Sequence, residues 1–418
     1  MNNKITVTRI ETTEQFENLR EEWNTLLFQS PEKNIFLTWE WLFAWWKNIG
    51  QYHNELWLLL FREGDTLIAI IPLMMSRKKM GITLRWLGNI GDPDCDIGGF
   101  ISINSEKIIQ SFVKYIYEHK KDWDVFELME VNANSPLTQQ LLPLLKDSGF
   151  KLRQEREQHY YISLNNQTWE EYYNRLSKNM RHNLKRRMKR TSEIGNVTYK
   201  KYIGDTLTWK QFEDMFALSE KSNFPDLYKT QQEINFHKSL FHFMQQKEWI
   251  QIEFLYVDDR PIAFQYGFCF ENRYEDWRGG IDKELDTLAP GKLLMMLSLE
   301  ERFKRELQES DFLRGIYSYK LDWNPESREF TTIQVYDHTY LKSWLAYWGV
   351  KYIYPTLKAW MRKWQKKKTT PVAETHHQNE TTISSIKTRL FNFIIGLKIT
   401  DIFHRLIMED STLLSSIF

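Results

Sequence analysis

The sequence predicts an α/β (α+β) fold in which two similar halves each form a mixed, mostly antiparallel sheet flanked by helices. Three observations support this prediction: a strand-turn-strand pattern that occurs twice, a similar order of helices and strands around each copy, and a change of pattern near residue 340. The chain has 418 residues, of which 42% are hydrophobic and 15% aromatic, enough apolar material for two domains and a tail.

In the first half, apolar residues recur at helical spacing at about 12–28 and 39–48. The segment ELWLLLFREGDTLIAIIPL (55–73) predicts two strands around an acidic turn, because β-branched and apolar runs flank Gly and Asp. KIIQSFVKYIYEHKKDWDVFELM (107–129) then predicts a helix followed by a strand. In the helical segment at 39–48, the tryptophans at 39, 41, 45 and 46 are expected in the core or at a domain interface.

The second half repeats this order. Helices are predicted at about 207–221 and 232–247, and three short aromatic and β-branched runs after them predict antiparallel strands at 250–257, 261–270 and 273–281. A helix is predicted after the Pro290–Gly291 pair, and DFLRGI (311–316) predicts the next strand. The shared order favours a duplication of one unit.

Composition excludes several classes of protein. A formal net charge of +1 argues against a dedicated DNA-binding protein, and two cysteines are too few for a disulfide framework or a structural zinc site. The first residues lack a signal-peptide core, and no apolar run reaches the length of a membrane span, so we expect a cytoplasmic protein. The histidines show no metal-ligand spacing, so we expect no metal. Neither a Gly-x-Ser-x-Gly motif nor a Walker motif occurs.

Four segments carry a family resemblance through their order and spacing: NIFLTWEWLFAWWKNIG (34–50), LSKNMRHNLKRRMKR (176–190), LAPGKLLMML (288–297) and DFLRGIYSYKLDW (311–323). Together they resemble the acyltransferase family named after the cellulose-biosynthesis protein CelD and the BioF2-like domain. This family is a branch of the GNAT superfamily and is related to the FemAB peptidoglycan aminoacyltransferases. The resemblance implies tandem GNAT-like domains at 1–165 and 166–340, followed by an aromatic and basic helical tail at 341–418 with a polar linker at 369–382.

The resemblance also implies an acyl-CoA, such as acetyl-CoA, as co-substrate. In GNAT folds the backbone amides between the fourth strand and the next helix bind the pyrophosphate of the donor, because a helix begins with unpaired N–H groups and a positive end. The residues at that place are Leu288, Ala289, Gly291, Lys292 and Leu293. Pro290 has no N–H to donate, and the alternative is that Pro290 and Gly291 only begin a helix.

Acyl transfer of the GNAT type needs a polarised carbonyl group and removal of one amine proton, without a covalent intermediate. The nearest candidates for the base and the proton donor are Asp282, at the end of the fourth strand, and Tyr319. Either residue could instead cap a helix or pack in the core.

Three groups of residues are candidates for acceptor binding. Lys320 matches a lysine that contacts a sugar-nucleotide phosphate in related Fem-type enzymes, and Tyr317 and Trp323 accompany it. Arg181 and Lys185 share a helical stripe suited to phosphates. Asp94 and Asp96 lie in a Gly-rich loop, where a carboxylate could bind or deprotonate an amine. Alternatively, Lys320 is an ordinary surface lysine, Arg181 and Lys185 belong to a solvated basic face, and Asp94 and Asp96 only help to form a loop.

The predicted function is transfer of an acyl group to an amino group of a sugar or peptide precursor, small or linked to a lipid or nucleotide, in cell-envelope or polysaccharide biosynthesis. Two alternatives stay open. A Fem-like enzyme would take its acyl group from tRNA, which the lack of a long coiled-coil insertion disfavours, and a non-catalytic scaffold would bind RNA or membrane. The Trp- and Lys-rich tail suits peripheral contact with the inner membrane face, or packing against the body.

Overall fold

The first half of the chain contains a three-helix segment, two hairpin strands and a helix-strand-helix-strand unit. Most of its helices begin where a side chain caps the first turn; Thr12 and Gln15, for example, form a capping box. The elements are β1 (Ile5–Ile10), α1 (Thr13–Glu17), α2 (Arg20–Gln29), α3 (Trp39–Asn48), β2 (Asn54–Glu63), β3 (Thr66–Ser76), β4 (Trp86–Asn89), β5 (Ile101–Ser102), α4 (Ser105–Glu118), β6 (Val125–Asn132), α5 (Pro136–Asp147) and β7 (Lys151–Ser163).

The second half follows the same plan, as predicted, with two helices before a three-stranded meander and one helix after it. Its elements are α6 (Trp169–Arg175), α7 (Lys178–Ser192), β8 (Val197–Ile203), α8 (Trp209–Glu220), α9 (Gln231–Met244), β9 (Ile250–Val257), β10 (Arg260–Phe270), β11 (Arg273–Ile281), α10 (Pro290–Lys304), β12 (Glu309–Asp311), α11 (Ser318–Leu321) and β13 (Glu326–Tyr336).

The predicted strand at 311–316 is wrong in its extent. β12 ends at Asp311, whose carboxylate accepts a hydrogen bond from the amide of Leu313 at 2.7 Å. Leu313 has a φ of 56°, in the left-handed region that a strand does not use. The amide of Phe312 still donates to Tyr160 of β7 at 2.8 Å, and from Leu313 onward the local side-chain hydrogen bond turns the chain away from the sheet.

The computed structural model describes residues 5–77, 84–103, 105–222, 228–315 and 317–353. In these ranges thirteen strands form one sheet, in which β4 and β6 pair in parallel, as do β11 and β12, and the other pairs are antiparallel. The order is β1-β2-β3-β4-β6-β13-β7-β12-β11-β10-β9-β8, with β5 beside β3. The predicted mixed, mostly antiparallel α/β fold is confirmed.

The core joins the two halves through an aromatic layer. The predicted core position of the four tryptophans of α3 is confirmed, since each is at most 3% exposed. Trp41 contacts Phe236 of α9 edge-on, with ring centroids 5.6 Å apart, and Trp277 of β11 at 6.2 Å. Separate apolar layers lie under α4 and α5 and under α6, α7 and α10. The contacts of α3 therefore fix the first half against α9 and β11 of the second half.

Residues Met1–Asp337 form one compact unit, and a second unit begins at His338. The second unit contains α12 (Leu341–Trp348) and a π-helical turn at Gly349–Ile353. The rest of the predicted tail, with its linker at 369–382, lies outside the described residues. Among the helices that the structure does describe, none combines the length and apolar character that crossing a membrane requires.

Candidate active site

The second half opens a gap in its sheet between β11 and β12. These parallel strands pair only from Arg273 with Glu309 to Glu275 with Asp311, after which β12 ends and β11 continues to Ile281. The register of β10 with β11 also shifts next to this point, between Tyr266 and Phe268. From Asp276 onward, β11 therefore has no partner on that side among the described strands.

Asp276 is the first residue of β11 beyond the paired part. Its carboxylate accepts a hydrogen bond from Gln265 Nε2 at 3.0 Å. Burial raises the pKa of Asp276 to about 6, against the opposing effects of Arg302 and Lys320. The carboxyl group is thus poised to exchange a proton near neutral pH. Asp276 was not among the residues predicted from the sequence, although an acidic residue inside a central strand is itself an unusual signal.

Tyr319 and Lys320 of α11 are electrostatic neighbours of Asp276. Desolvation raises the pKa of the Tyr319 hydroxyl, with a further contribution from Asp276, although the residue is 43% exposed. Lys320 is 2% exposed, and its Nζ donates to the carbonyl oxygens of Leu313 at 3.1 Å and Arg314 at 2.7 Å. Burial lowers the pKa of Lys320. Lys320 therefore closes the turn after β12 and places a positive charge beside Asp276.

The other two predicted residues of this segment, Tyr317 and Trp323, differ in their exposure. Tyr317 is 52% exposed and stacks against Tyr319, with ring centroids 6.0 Å apart. Trp323 is fully buried, and its carbonyl oxygen accepts a hydrogen bond from Tyr172 of α6 at 2.6 Å. Tyr317 is accessible to a ligand, whereas the side chain of Trp323 contributes to the core.

Asp282 lies at the far end of β11 and caps the 3-10 turn at Lys283–Leu288. Its carboxylate accepts a hydrogen bond from the amide of Glu284 at 3.1 Å and pairs with Arg260. Burial acts to raise the pKa of Asp282, but the hydrogen bonds from Arg260 and Glu284 outweigh it and lower the pKa. The structure thus gives Asp282 a capping role and keeps its carboxylate ionised.

The predicted donor loop begins α10 with Pro290 in the first turn and Ala289 at a φ of 49°. The amide of Ala289 donates to Asp286 at 2.8 Å, and the amides of Lys292 and Leu293 both donate to Ala289, at 3.0 and 3.3 Å. Leu288 ends the preceding 3-10 turn. In the described part of the chain, Gly291 has no backbone acceptor for its N–H. Of the predicted amides that begin α10, it is the one left for a ligand.

A cavity of about 510 Å³ lies between α7 and the start of α10, and three basic side chains line it: Arg175, Arg187 and Lys292. Arg187 also donates to the carbonyl oxygen of Thr287 at 2.9 Å, which links α7 to the donor loop. Lys292 pairs with Asp322 at 2.5 Å. The cavity therefore offers positive charge next to the positive end of a helix.

The predicted basic stripe of α7 does not line this cavity. Arg181 turns back to the carbonyl oxygen of Leu176, at 3.2 Å from Nε. Lys185 lines a different cavity of about 400 Å³ beside Met296. The face of α7 that meets the donor loop instead carries Asn179, Asn183 and Arg187 at intervals of four residues.

The loop at 88–100 reaches from the first half to β11. Asp94 accepts a hydrogen bond from Trp45 Nε1 at 3.0 Å, and Arg278 of β11 lies 3.4 Å from its carboxylate. Asp96 is buried, which raises its pKa, and it pairs with Arg314 at 2.7 Å. In the described ranges no cluster of three or more His, Cys, Asp or Glu residues could hold a metal ion. The two aspartates thus link the halves around the gap.

Parts of the chain are similar to known proteins in sequence or in fold. Residues 178–321 match the sequence profile of the acetyltransferase (GNAT) domain family. No curated protein sequence matches the chain. The crystal structure of FemX superposes with a TM-score of 0.52 at 10% identity and covers 78% of this chain and 96% of its own.

Two further structures are similar to this chain. L-PGS from Bacillus licheniformis has a TM-score of 0.48 at 11% identity, covering 75% of this chain and 90% of its own. A tandem GNAT protein from the clavulanic acid biosynthesis pathway has a TM-score of 0.46 at 10% identity, covering 79% and 98%.

Residues 178–321 therefore form a GNAT-type acetyltransferase domain, and the protein is an acyltransferase. Such a domain implies acyl-CoA as co-substrate. The likeness to FemX shows that the fold extends over both halves.

Proposed function

We propose that this protein is an N-acyltransferase that transfers an acyl group, most simply acetyl, from acyl-CoA to an amino group of a sugar or peptide precursor in cell-envelope or polysaccharide biosynthesis. The observation that carries the proposal is Asp276, whose pKa stands at about 6 where β11 and β12 separate. The residues quoted for the CelD and BioF2-like family support the finer assignment to that branch.

The division into domains at 1–165 and 166–340 is part of the same proposal. Each half contains a hairpin, a parallel strand pair and a helix between the paired strands. The shared order supports a duplication, while β13, inserted between β6 and β7, joins the halves.

The donor is proposed to bind with its phosphates at the start of α10. The unpaired N–H of Gly291 and the side chains of Arg187 and Lys292 fit an anion there, so positive side chains contribute more than backbone amides. Because side chains supply most of the positive charge, a loop with few glycines can still bind the phosphates. It also assigns a ligand-binding role to the predicted residues Gly291 and Lys292, and a loop-forming role to Leu288, Ala289 and Leu293.

Bound acyl-CoA supplies an activated acyl group, whose C–S bond breaks as the new C–N bond forms. Asp276 is the proposed base that accepts the proton from the acceptor amine. Tyr319 holds its proton, because desolvation raises its pKa, and is the proposed donor of a proton to the departing sulfur. Lys320 is a positioning residue, since its Nζ holds the turn that carries Tyr319.

The experiment compares Asp276→Asn with Asp282→Asn in an acetyl-CoA assay that follows thiol release across a panel of amines. We expect Asp276→Asn to lower kcat by about 10²–10⁴-fold with an unchanged Kd for acetyl-CoA, because it removes the base and leaves the donor site intact. Asp282→Asn should change kcat much less. Full kcat in a folded Asp276→Asn protein would remove Asp276 from this role.

The donor alternative is tested by the same protein. Transfer from an aminoacyl-tRNA, with salt-sensitive tRNA binding and no binding of acetyl-CoA, would instead favour the Fem-like activity.

A further inference from the structure

A second cavity, of about 210 Å³, lies between the two halves beside the gap in the sheet. Asp94 from the first half and residues of α9, β11 and the segment before α9 line it. Its polar and aromatic lining side chains include Asp94, Tyr228, Glu233, His237, Trp277 and Arg278. None of them belongs to the donor site described above.

Tyr228 gives this cavity a buried polar group without a partner. The residue is 8% exposed, yet its hydroxyl group has no hydrogen-bond partner in the described part of the chain. Its φ of 70° is in the left-handed region, which is unfavourable for a bulky side chain. A buried hydroxyl without a partner costs stability, and a ligand in the cavity would supply the missing partner.

The charges around the cavity favour a cationic ligand. Asp94 and Glu233 contribute two carboxylates, against the single guanidinium of Arg278, which pairs with Asp94. Glu233 also caps α9, since it accepts a hydrogen bond from the amide of Thr230 at 2.9 Å. His237 adds no charge, because burial lowers its pKa to about 3, and its Nδ1 lies 3.2 Å from the Tyr266 hydroxyl. The lining therefore has an excess of negative charge, which attracts an ammonium group, together with donors and acceptors that suit hydroxyl groups.

The size of the cavity limits the ligand to one small ring. Pockets for drug-sized ligands have volumes of roughly 300–1,000 Å³. A volume of about 210 Å³ is smaller than that range and leaves too little room for a disaccharide or a peptide.

We propose that this cavity binds the acceptor as a single amino-sugar unit of hexosamine size, a proposal that rests on the acyltransfer function proposed above. Hydroxyl groups of the sugar would complete the hydrogen bonding of Tyr228, and the excess negative charge of the lining would attract its ammonium group toward β11.

The position of the cavity agrees with this role. Trp277 and Arg278 directly follow Asp276 on β11, and Trp277 packs against Phe236 of α9. Asp276 instead bonds to Gln265, which also contacts Met295 of α10. Acceptor and donor thus approach β11 from opposite faces of the sheet and meet at the gap beside Asp276.

The test uses the full chain with D-glucosamine, which is cationic, and N-acetyl-D-glucosamine, which is neutral, as probes. We expect acetyl transfer to glucosamine, and calorimetry should show tighter binding of glucosamine than of N-acetylglucosamine. Tyr228→Phe should raise the KM for glucosamine by about three- to tenfold with an unchanged Kd for acetyl-CoA, since it removes one hydrogen bond. Asp94→Asn should remove most of the preference for the cationic sugar. Tyr52→Phe, at a tyrosine that is 58% exposed, is the matched control and should change neither value.

The outcomes separate the two proposals. Acetyl transfer to amino acids or peptides but not to glucosamine, with no effect of Tyr228→Phe, overturns the amino-sugar site and leaves the acyltransferase proposal standing. If no amine is acetylated, the acyltransferase proposal fails, and calorimetry alone then decides about the cavity. Glucosamine binding that Tyr228→Phe weakens would still support the site, and absence of such binding would overturn it.

Discussion

The two halves of this enzyme contain the same parallel strand junction but finish it differently. In the first half, Trp86 and Leu87 of β4 pair with β6, and beyond them the side chain of Asn89 accepts a hydrogen bond from the amide of Met129 at 2.9 Å. The side chain thus continues the contact where the ladder ends. In the second half, the residue beyond the paired part is Asp276, which bonds to Gln265 on the opposite side. The first junction is therefore closed by a side chain, whereas the second stays open beyond Glu275.

The layers beneath the matching helices differ in the same direction. α4 packs its own apolar side chains, such as Ile109 and Phe112, onto the sheet, and both are fully buried. α10 instead brings Arg302 to Glu253 at 2.8 Å, with both side chains fully buried. The first half therefore serves as a scaffold that contributes Asp94 and the tryptophans, whereas the second half retains the charges that tune Asp276.

The largest expected effect tests the charged layer. Arg302→Met should lower the free energy of unfolding by about 3–5 kcal/mol, because it leaves Glu253 buried without its partner. Chemical denaturation followed by fluorescence measures this change. The double variant Arg302→Met/Glu253→Gln should recover part of the loss, since no uncompensated charge then remains. A single variant as stable as the original protein would show that the ion pair does not support the second half.

The sequence predicted the elements well because apolar spacing is a local property. The hairpin at 55–73 and the meander at 250–281 are present, as is the helix after Pro290. What spacing does not encode is which distant strands pair. β13 enters the sheet between β6 and β7, with Phe330 opposite Asn132, and no local pattern indicates that insertion.

The candidate site was harder to predict for a related reason. Asp276 and Asp282 belong to the same stretch of sequence, and nothing local to either residue distinguishes a base from a cap. The difference comes from distant partners, namely Gln265 for Asp276 and Arg260 for Asp282. Lys320 was predicted to bind the acceptor and lies among the electrostatic neighbours of Asp276, but its contacts with Leu313 and Arg314 depend on a turn that periodicity does not reveal.

A smaller effect is expected from opening the first gap. Asn89→Ala should lower the free energy of unfolding by about 1–3 kcal/mol, because it leaves the amide of Met129 without its buried acceptor. The Kd for acetyl-CoA, measured by calorimetry, should not change. Weaker acetyl-CoA binding in this variant would mean that the first half also takes part in donor binding.

The next prediction concerns the single unpaired amide of the donor loop. Gly291→Pro should weaken acetyl-CoA binding about tenfold, because it removes one hydrogen bond to a charged group and keeps a backbone compatible with the first turn of a helix. Gly291→Ala is the matched control, since it retains the N–H; an added Cβ would lie 3.2 Å from Ile281 in this arrangement. Equal Kd values for the two variants would argue against the amide contact.

The smallest expected effect is the pH dependence that Asp276 gives to the second half. The base must be ionised to accept a proton, and burial raises its pKa to about 6, so kcat/KM should rise with pH through that value. Relative to the plateau, kcat/KM should be about one half at pH 6 and about one tenth at pH 5. Asp276→Asn should lose this limb and leave a slow, flatter profile. It should also remain folded at pH 7, because a carboxyl group whose pKa is raised by folding destabilises the folded state once it ionises, and an amide does not. A limb near pH 6 that persists in Asp276→Asn would assign the titration to another group and remove the distinction between the two halves at this strand junction.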